Sequence, residues 1–172
     1  FIDEVKGGNI PREFIPAIQK GFRESMVNGV LAGFPVDSIK VRLLDGSFHA
    51  VDSDALSFEM AARMGYRESC RKAKSILLEP IMKVEVLTPD DYLGDVTGDL
   101  NKRRAILREV VAKAAGQLIK ADVPLSEMFG YVTTLRSLSS ARATSSMEFS
   151  HYYSAPDHVA EEVVNKAKGI IK

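Results

Sequence analysis

One cysteine, Cys70, stands among 172 residues. A single thiol cannot form an internal disulfide, so the chain is not a disulfide-stapled scaffold, and a reducing compartment is expected. Histidine is nearly as scarce, with only His49, His151 and His158. None falls in a C-x-x-C or H-x-x-x-H spacing, which leaves no structural zinc site to expect. Net charge is absent too. The chain has 23 basic and 23 acidic residues, and its halves are alike: 11 basic and 10 acidic residues over 1–78, 12 and 13 over 79–172. Without a basic field, any contact with nucleic acid must be local. No apolar run reaches the ~18 residues a membrane span needs. The start carries no basic segment followed by an apolar one, so no signal peptide is read. It also lacks an initiator methionine and enters mid-pattern at Phe1, which reads as an excised fragment or a processed chain.

Catalytic signatures are missing as well. The patterns G-x-x-x-x-G-K-[ST], G-x-G-x-x-G and G-x-S-x-G do not occur. Without a phosphate cradle or a nucleophile elbow, this chain alone reads as neither a nucleotide hydrolase nor a serine hydrolase. No nucleophile–base pair is legible, so an enzyme reading has little to stand on. What remains is an ordinary globular composition, 45% hydrophobic and 27% charged, in a length that suits one domain or two small ones.

The apolar pattern organises the chain. Ile15, Ile18, Phe22 and Met26 recur at helical steps, with Pro16 suited to the first turn and Gly29 to the stop. Val36, Ile39, Val41 and Leu43 mark a strand that ends in the turn Asp45-Gly46. A long helix is expected from an N-cap at Ser53 to about Lys74, with Phe58, Ala61, Ala62, Gly65, Ser69, Cys70 and Ala73 inward. A domain boundary falls near residues 76–78, giving domains 1–77 and 78–172. A strand runs from Leu77 to Val86. Thr88-Pro89-Asp90-Asp91 then reads as a helix start, Thr88 capping, with the helix continuing to about Arg104. Strands at 106–113 and 117–123 follow. A helix opens at Pro124 with Leu125, Phe129, Val132 and Leu135 inward, then comes a strand from Ala143 to Tyr152. A last helix opens at Pro156, with Val159, Val163, Ala167 and Ile170 on one face. The second half thus reads β-α-β-β-α-β plus a terminal helix, the ferredoxin-like order, and the fold class is α+β. That topology hosts many functions and decides none.

Three groups of residues invite a functional reading. His49 lies in Gly46-Ser47-Phe48-His49-Ala50-Val51-Asp52-Ser53, between a strand and a helix, where loops commonly present contact residues; the plain alternative is a solvated loop histidine. Asn101-Lys102-Arg103-Arg104 is the densest basic cluster. Guanidinium forks suit phosphate, but cations at a helix C-terminus are equally explained by the helix dipole. Arg63, Arg67 and Arg71 line one helix stripe, with Glu59 placed to pair with Arg63; a solvated face competes with RNA backbone contact. Asp52 with Asp54 could suggest a metal or acid–base pair, but acids at a helix start are expected anyway. Gly7-Gly8-Asn9 is a flexible turn before the first helix.

Longer motifs say more. Pro124-Leu125-Ser126-Glu127-Met128-Phe129-Gly130-Tyr131 with Leu135-Arg136-Ser137-Leu138, Leu78-Glu79-Pro80-Ile81-Met82-Lys83-Val84-Glu85-Val86, and Gly94-Asp95-Val96-Thr97-Gly98-Asp99-Leu100 running into Arg103-Arg104 resemble the final domain of the translation elongation factor G family. Upstream, Leu31-Ala32-Gly33-Phe34-Pro35-Val36 and Gly46 to Ser53 are similar to that family's fourth domain. The resemblance covers essentially the whole chain. It implies a ribosomal-protein-like α+β fourth domain with a left-handed crossover, N-terminally truncated here, then the ferredoxin-like fifth domain with its C-terminal helix. It further implies a ribosome-dependent, GTP-driven factor that translocates tRNA and mRNA. GTP and Mg2+ would sit in an N-terminal domain outside this chain, which itself would hold no cofactor or metal. The implied partners are the decoding region of the small subunit, the A-site tRNA and mRNA, and large-subunit rRNA at the factor-binding site. A cytoplasmic monomer with no membrane partner is implied too. By resemblance, His49, Ser47 and Asp52 belong to a tip loop, Gly7 and Gly8 to a neighbouring tip turn, and Asn101, Arg103 and Arg104 to the rRNA-facing end of a helix. Ala105 and Ala141 stand where the family commonly has glycine, and Val110 to Lys113 is atypical. Those departures keep open a specialised paralogue acting in ribosome recycling or protection, or a factor with altered or absent GTPase activity.

Overall fold

The computed structural model describes residues 1–170. The chain divides into two compact units, Phe1–Leu77 with the segment from Pro156 onward, and Leu78–Ala155. The terminal helix is grouped with the first unit.

In the first unit, β1 (Ile2–Asp3) and β2 (Arg42–Leu43) form a short parallel pair, Ile2 opposite Arg42 and Asp3 opposite Leu43. One 3₁₀ turn, Arg12–Phe14, and α1 (Ile15–Ser25) lie between them. Pro16 sits in the first turn of α1, where its missing N–H leaves no bond unmade. α2 (Ala55–Lys72) is capped by Asp54, whose carboxylate accepts the Ser57 N–H at 2.7 Å; the expected cap, Ser53, serves the preceding loop instead. The strand expected from Val36 contracts to two residues. The Val36 N–H donates to Met26 O at 2.8 Å and the Gly29 N–H to Phe34 O at 2.8 Å, folding this stretch back on the end of α1. Ser38, at φ +58, then breaks the extended run.

Ile10, Ile18, Phe58 and Ala62 form this unit's core, with Val5, Phe14, Ile15, Phe22 and Leu43 packed against it. The inward face of α2 is Phe58, Ala62, Tyr66 and Cys70, at four-residue steps, while Ala61, Ser69 and Ala73 face solvent. Glu59 is buried beside them. It is held by Lys20 at 3.0 Å and by Arg63 at 2.6 Å, the pairing its spacing implied. The Arg63 bond, then the Lys20 bond, keeps the Glu59 carboxyl below the usual range.

The second unit contains β3 (Leu78–Thr88), α3 (Leu93–Lys102), β4 (Ile106–Lys113), β5 (Gly116–Pro124), α4 (Tyr131–Leu138) and β6 (Thr144–Ser154). Its sheet has the order β4-β5-β3-β6 with every pair antiparallel, which is the ferredoxin-like arrangement. Met82, Val84 and Val86 of β3 and Ile119, Ala121 and Val123 of β5 alternate onto one face, where Val96, Leu100, Tyr131 and Leu135 close the core. Cross-strand ion pairs occupy alternate positions: Lys83 with Glu148 at 3.2 Å, Arg108 with Asp122 at 2.7 Å, Lys120 with Glu109 at 2.9 Å.

Two expectations fail here for local reasons. Thr88 does not cap a helix. It is the fully buried end of β3, and Pro89 leads first into a 3₁₀ turn, Asp90–Tyr92. The helix expected from Pro124 is interrupted: Leu125–Met128 is a 3₁₀ turn, Phe129 is extended, and Gly130 takes φ +74 before α4 begins. The break rotates the face, so that Met128, Tyr131 and Leu135 turn inward and Phe129 and Val132 are 78% and 54% exposed. α5 (Asp157–Ala167) follows Pro156 and stops before Gly169, at φ +72.

Candidate nucleic-acid interface

Two turns leave the first unit at one end because β1 and β2 are parallel. Their C-terminal ends open into residues 4–9 and 44–53, respectively. Gly7 and Gly8 take φ +75 and +73, a left-handed pair that side chains resist. Asn9 follows and reaches across, its Nδ2 donating to Asp45 Oδ1 at 2.8 Å. The Gly46 N–H donates to the same Asp45 oxygen at 2.8 Å. The Asn9 bond, then the Gly46 bond, holds the Asp45 carboxyl below the ordinary carboxylate range. A Cβ on Gly46 would lie 2.7 Å from Cδ1 of buried Ile10, so a side chain there would have to displace the end of Ile10.

Beyond Gly46, the loop is tethered and then closed. Phe48 packs on Phe14, centroids 5.7 Å apart, and Phe14 stacks on Phe58 at 5.0 Å, so the loop is fastened to the core. His49 closes a compact turn. Its O accepts the N–H groups of Asp52 at 3.2 Å and Ser53 at 2.9 Å, and its own N–H donates to Ser53 Oγ at 3.0 Å. The backbone of His49 is thus fixed while Ser47, His49, Ala50, Val51 and Asp52 are exposed. The structure brings Ser47, His49, Asp52, Gly7 and Gly8 to one end of the unit. The fastening roles of Asn9, Asp45 and Phe14 had no local signal; the Asp45-Gly46 dipeptide signalled a turn but not its partner 36 residues earlier.

On the second unit, Asn101 and Lys102 are exposed at the end of α3. Arg103 turns inward. Its Nε donates to Asp99 at 2.8 Å, Nη1 to the Glu127 carbonyl and Nη2 to Thr134 Oγ1 at 3.1 Å, while its guanidinium lies 5.1 Å from the Tyr131 ring centroid. Arg104 grips Glu79 with both terminal nitrogens and has Glu127 3.7 Å away. Arg104 occupies the left-handed position, φ +61, of a helix-ending motif in which the Ala105 N–H bonds to Leu100 O at 3.1 Å. Neither the partners of the arginines nor the backbone of Arg104 was legible from the spacing. Arg67 and Arg71 are exposed on α2. Asp54 is a helix cap, and no group of acidic, histidine or cysteine side chains could hold a metal ion among the described residues.

A family model for elongation factor G, domain IV, matches residues 1–74, and one for the elongation factor G C-terminus matches 76–163. The chain belongs to the elongation factor G family. Elongation factor G of Cytophaga hutchinsonii is 60% identical over 98% of this chain, and that of Amoebophilus asiaticus is 59% identical over 98%. The chain spans 24% of the length of each of these relatives, so it corresponds to a part of the family's protein. A crystal structure from Thermus thermophilus is 37% identical with a TM-score of 0.88, over 98% of this chain and 26% of that one. Within the family, residues 1–74 correspond to domain IV and residues 76–163, the second unit and the start of α5, to the C-terminal domain. No GTPase domain is included in these two. No helix among the described residues is long and apolar enough to cross a membrane.

Proposed function

We propose that this chain is the ribosome-contacting part of a translation factor that drives GTP-dependent movement of tRNA and mRNA. The observation that carries the reading is the double turn of the first unit. Two loops from parallel strands are fastened together, and one presents His49 from a backbone fixed by three hydrogen bonds. A preorganised polar tip can enter a narrow RNA-lined site without the entropic cost of loop ordering. Ser47, His49 and Asp52 would then meet the A-site tRNA and mRNA in the decoding region, with Gly7 and Gly8 admitting a close backbone approach. On the second unit, the end of α3 would face large-subunit rRNA at the factor-binding site. Asn101 and Lys102 form its outer surface, and Arg103 and Arg104 shape it from beneath through their bonds to Asp99 and Glu79.

The residues present do not fit GTP with Mg2+. The Gly7-Gly8 turn leads to Pro11 rather than to a Lys-Ser/Thr pair, and the link from β3 to α3 contains no glycine. GTP chemistry is therefore assigned to the remainder of the parent protein, which we take to be a cytoplasmic monomer. A second reading, a paralogue acting in recycling or protection or with altered GTPase activity, is favoured by Ala141 at φ +61, a backbone that suits the family's glycine.

The test is His49→Ala in the full-length parent. Translocation measured by rapid kinetics on ribosomes is expected to slow by roughly tenfold or more, while GTP hydrolysis and thermal stability stay close to wild type, since exposed substitutions cost within ~0.5 kcal/mol. Wild-type translocation by a folded variant returns His49 to a solvated loop residue.

A further inference from the structure

The tip described above consists of two loops far apart in sequence, and one side-chain hydrogen bond joins them. We infer that Asn9 and Asp45 form a latch that makes the Gly7-Gly8 turn and the His49 loop one rigid tip, so that both are positioning residues for His49. The inference rests on the proposed role of that tip. Asn9 Nδ2 donates to Asp45 Oδ1 at 2.8 Å across 36 residues of sequence, and the Gly46 N–H converges on the same oxygen at 2.8 Å. Asp45 thus ties together the incoming turn and the start of its own loop. The neighbouring contacts make this a junction and not an isolated surface bond. Gly46 lies against Ile10, the residue after Asn9, and Ile10 belongs to the core with Phe58. Phe48, one residue before His49, leans on Phe14, which also packs against that core. Displacing Asn9 from Asp45 frees the glycine pair, which has no side chains with which to hold its left-handed backbone. The His49 loop then keeps its own turn bonds and its aromatic tether but loses its side-chain tie to the glycine turn. A loop that contacts RNA only when both turns are in place loses rate, not fold, when the latch opens.

Exchange of the two side chains tests the idea in the full-length parent. Asn9→Asp sets two carboxylates against each other. Adding Asp45→Asn in that background restores the bond with its direction reversed. The amide now at position 45 donates to the carboxylate now at position 9, while its carbonyl still accepts from the Gly46 N–H. Asn9→Asp is expected to slow translocation about three- to tenfold, the rate equivalent of one typical intramolecular hydrogen bond, with GTP hydrolysis and melting temperature unchanged. The exchanged double variant is expected to return to within about twofold of wild type. A double variant as slow as Asn9→Asp overturns the latch. So does wild-type translocation by Asn9→Asp when His49→Ala is slow. If His49→Ala and Asn9→Asp both translocate normally, the reading of the tip falls and the latch with it.

Discussion

Several non-glycine residues carry positive φ, and two of them at helix ends show how differently such strain is held. Ala141, at φ +61, follows Ser140 at φ +49 in the turn after α4, where the Ala141 N–H bonds to Arg136 O at 2.7 Å. A left-handed alanine costs ~1–2 kcal/mol, and nothing in its methyl group returns it. Ala141→Gly should therefore raise stability by about 0.5–1 kcal/mol after the added freedom of the unfolded chain is deducted, as denaturant melts would register. Arg104 adopts the same backbone, φ +61, but its guanidinium grips Glu79, whose side chain is only 10% exposed. There Arg104→Gly relieves the backbone and strands a carboxylate. Stability should fall by about 2–3 kcal/mol, the opposite sign from Ala141→Gly. Equal signs for the two variants would mean that backbone strain, not the ion pair, governs both positions.

Elements show where sequence patterns suffice and where they do not. The order of elements in the second unit was legible because Met82, Val84 and Val86 alternate as a half-buried strand must, and because Val96 and Leu100 stand four apart on α3. The misread helix at Pro124 fails on one residue: Gly130 can reset the chain direction, and the pattern counted through it. In the first unit the strand at 36–43 was overread because apolar spacing cannot register Ser38 at φ +58 or the backbone bonds that fold the segment onto α1. The loop motifs of the tip were visible, but the bond from Asn9 to Asp45 is a tertiary fact with no local signature. The same holds for Gly21, which an α1 pattern treats as a weak helix former. In the structure a Cβ there would fall 2.9 Å from Ala62 Cβ and closer still to the Glu59 carbonyl. Gly21→Ala should gain nothing from its better helix propensity and should destabilise the unit by about 1–3 kcal/mol through forced separation of α1 and α2. A melting temperature equal to or above wild type contradicts that close approach.

Across the whole molecule, 23 positive and 23 negative charges cancel, and many of them pair with one another inside the chain. Glu59 holds Lys20 and Arg63, Asp99 holds Arg103, Glu79 holds Arg104, and Asp122 holds Arg108. An RNA-binding surface on such a chain depends on the cations left outward, and at the end of α3 that cation is Lys102. The two kinds of basic residue should separate in a salt titration. Each phosphate contact contributes about 0.7–0.9 to the slope of log affinity against log salt. Lys102→Ala in the full-length protein should weaken ribosome binding and flatten that slope by up to about one unit, with melting temperature unchanged. Arg103→Ala should act the other way round. Its side chain is 16% exposed and spans Asp99, the Glu127 carbonyl and Thr134, so its loss should cost about 2–4 kcal/mol of stability and change the slope little at temperatures where the variant is folded. If instead Arg103→Ala flattens the slope as much as Lys102→Ala while melting normally, the guanidinium meets phosphate on the ribosome, and its intramolecular partners are ones it exchanges on binding.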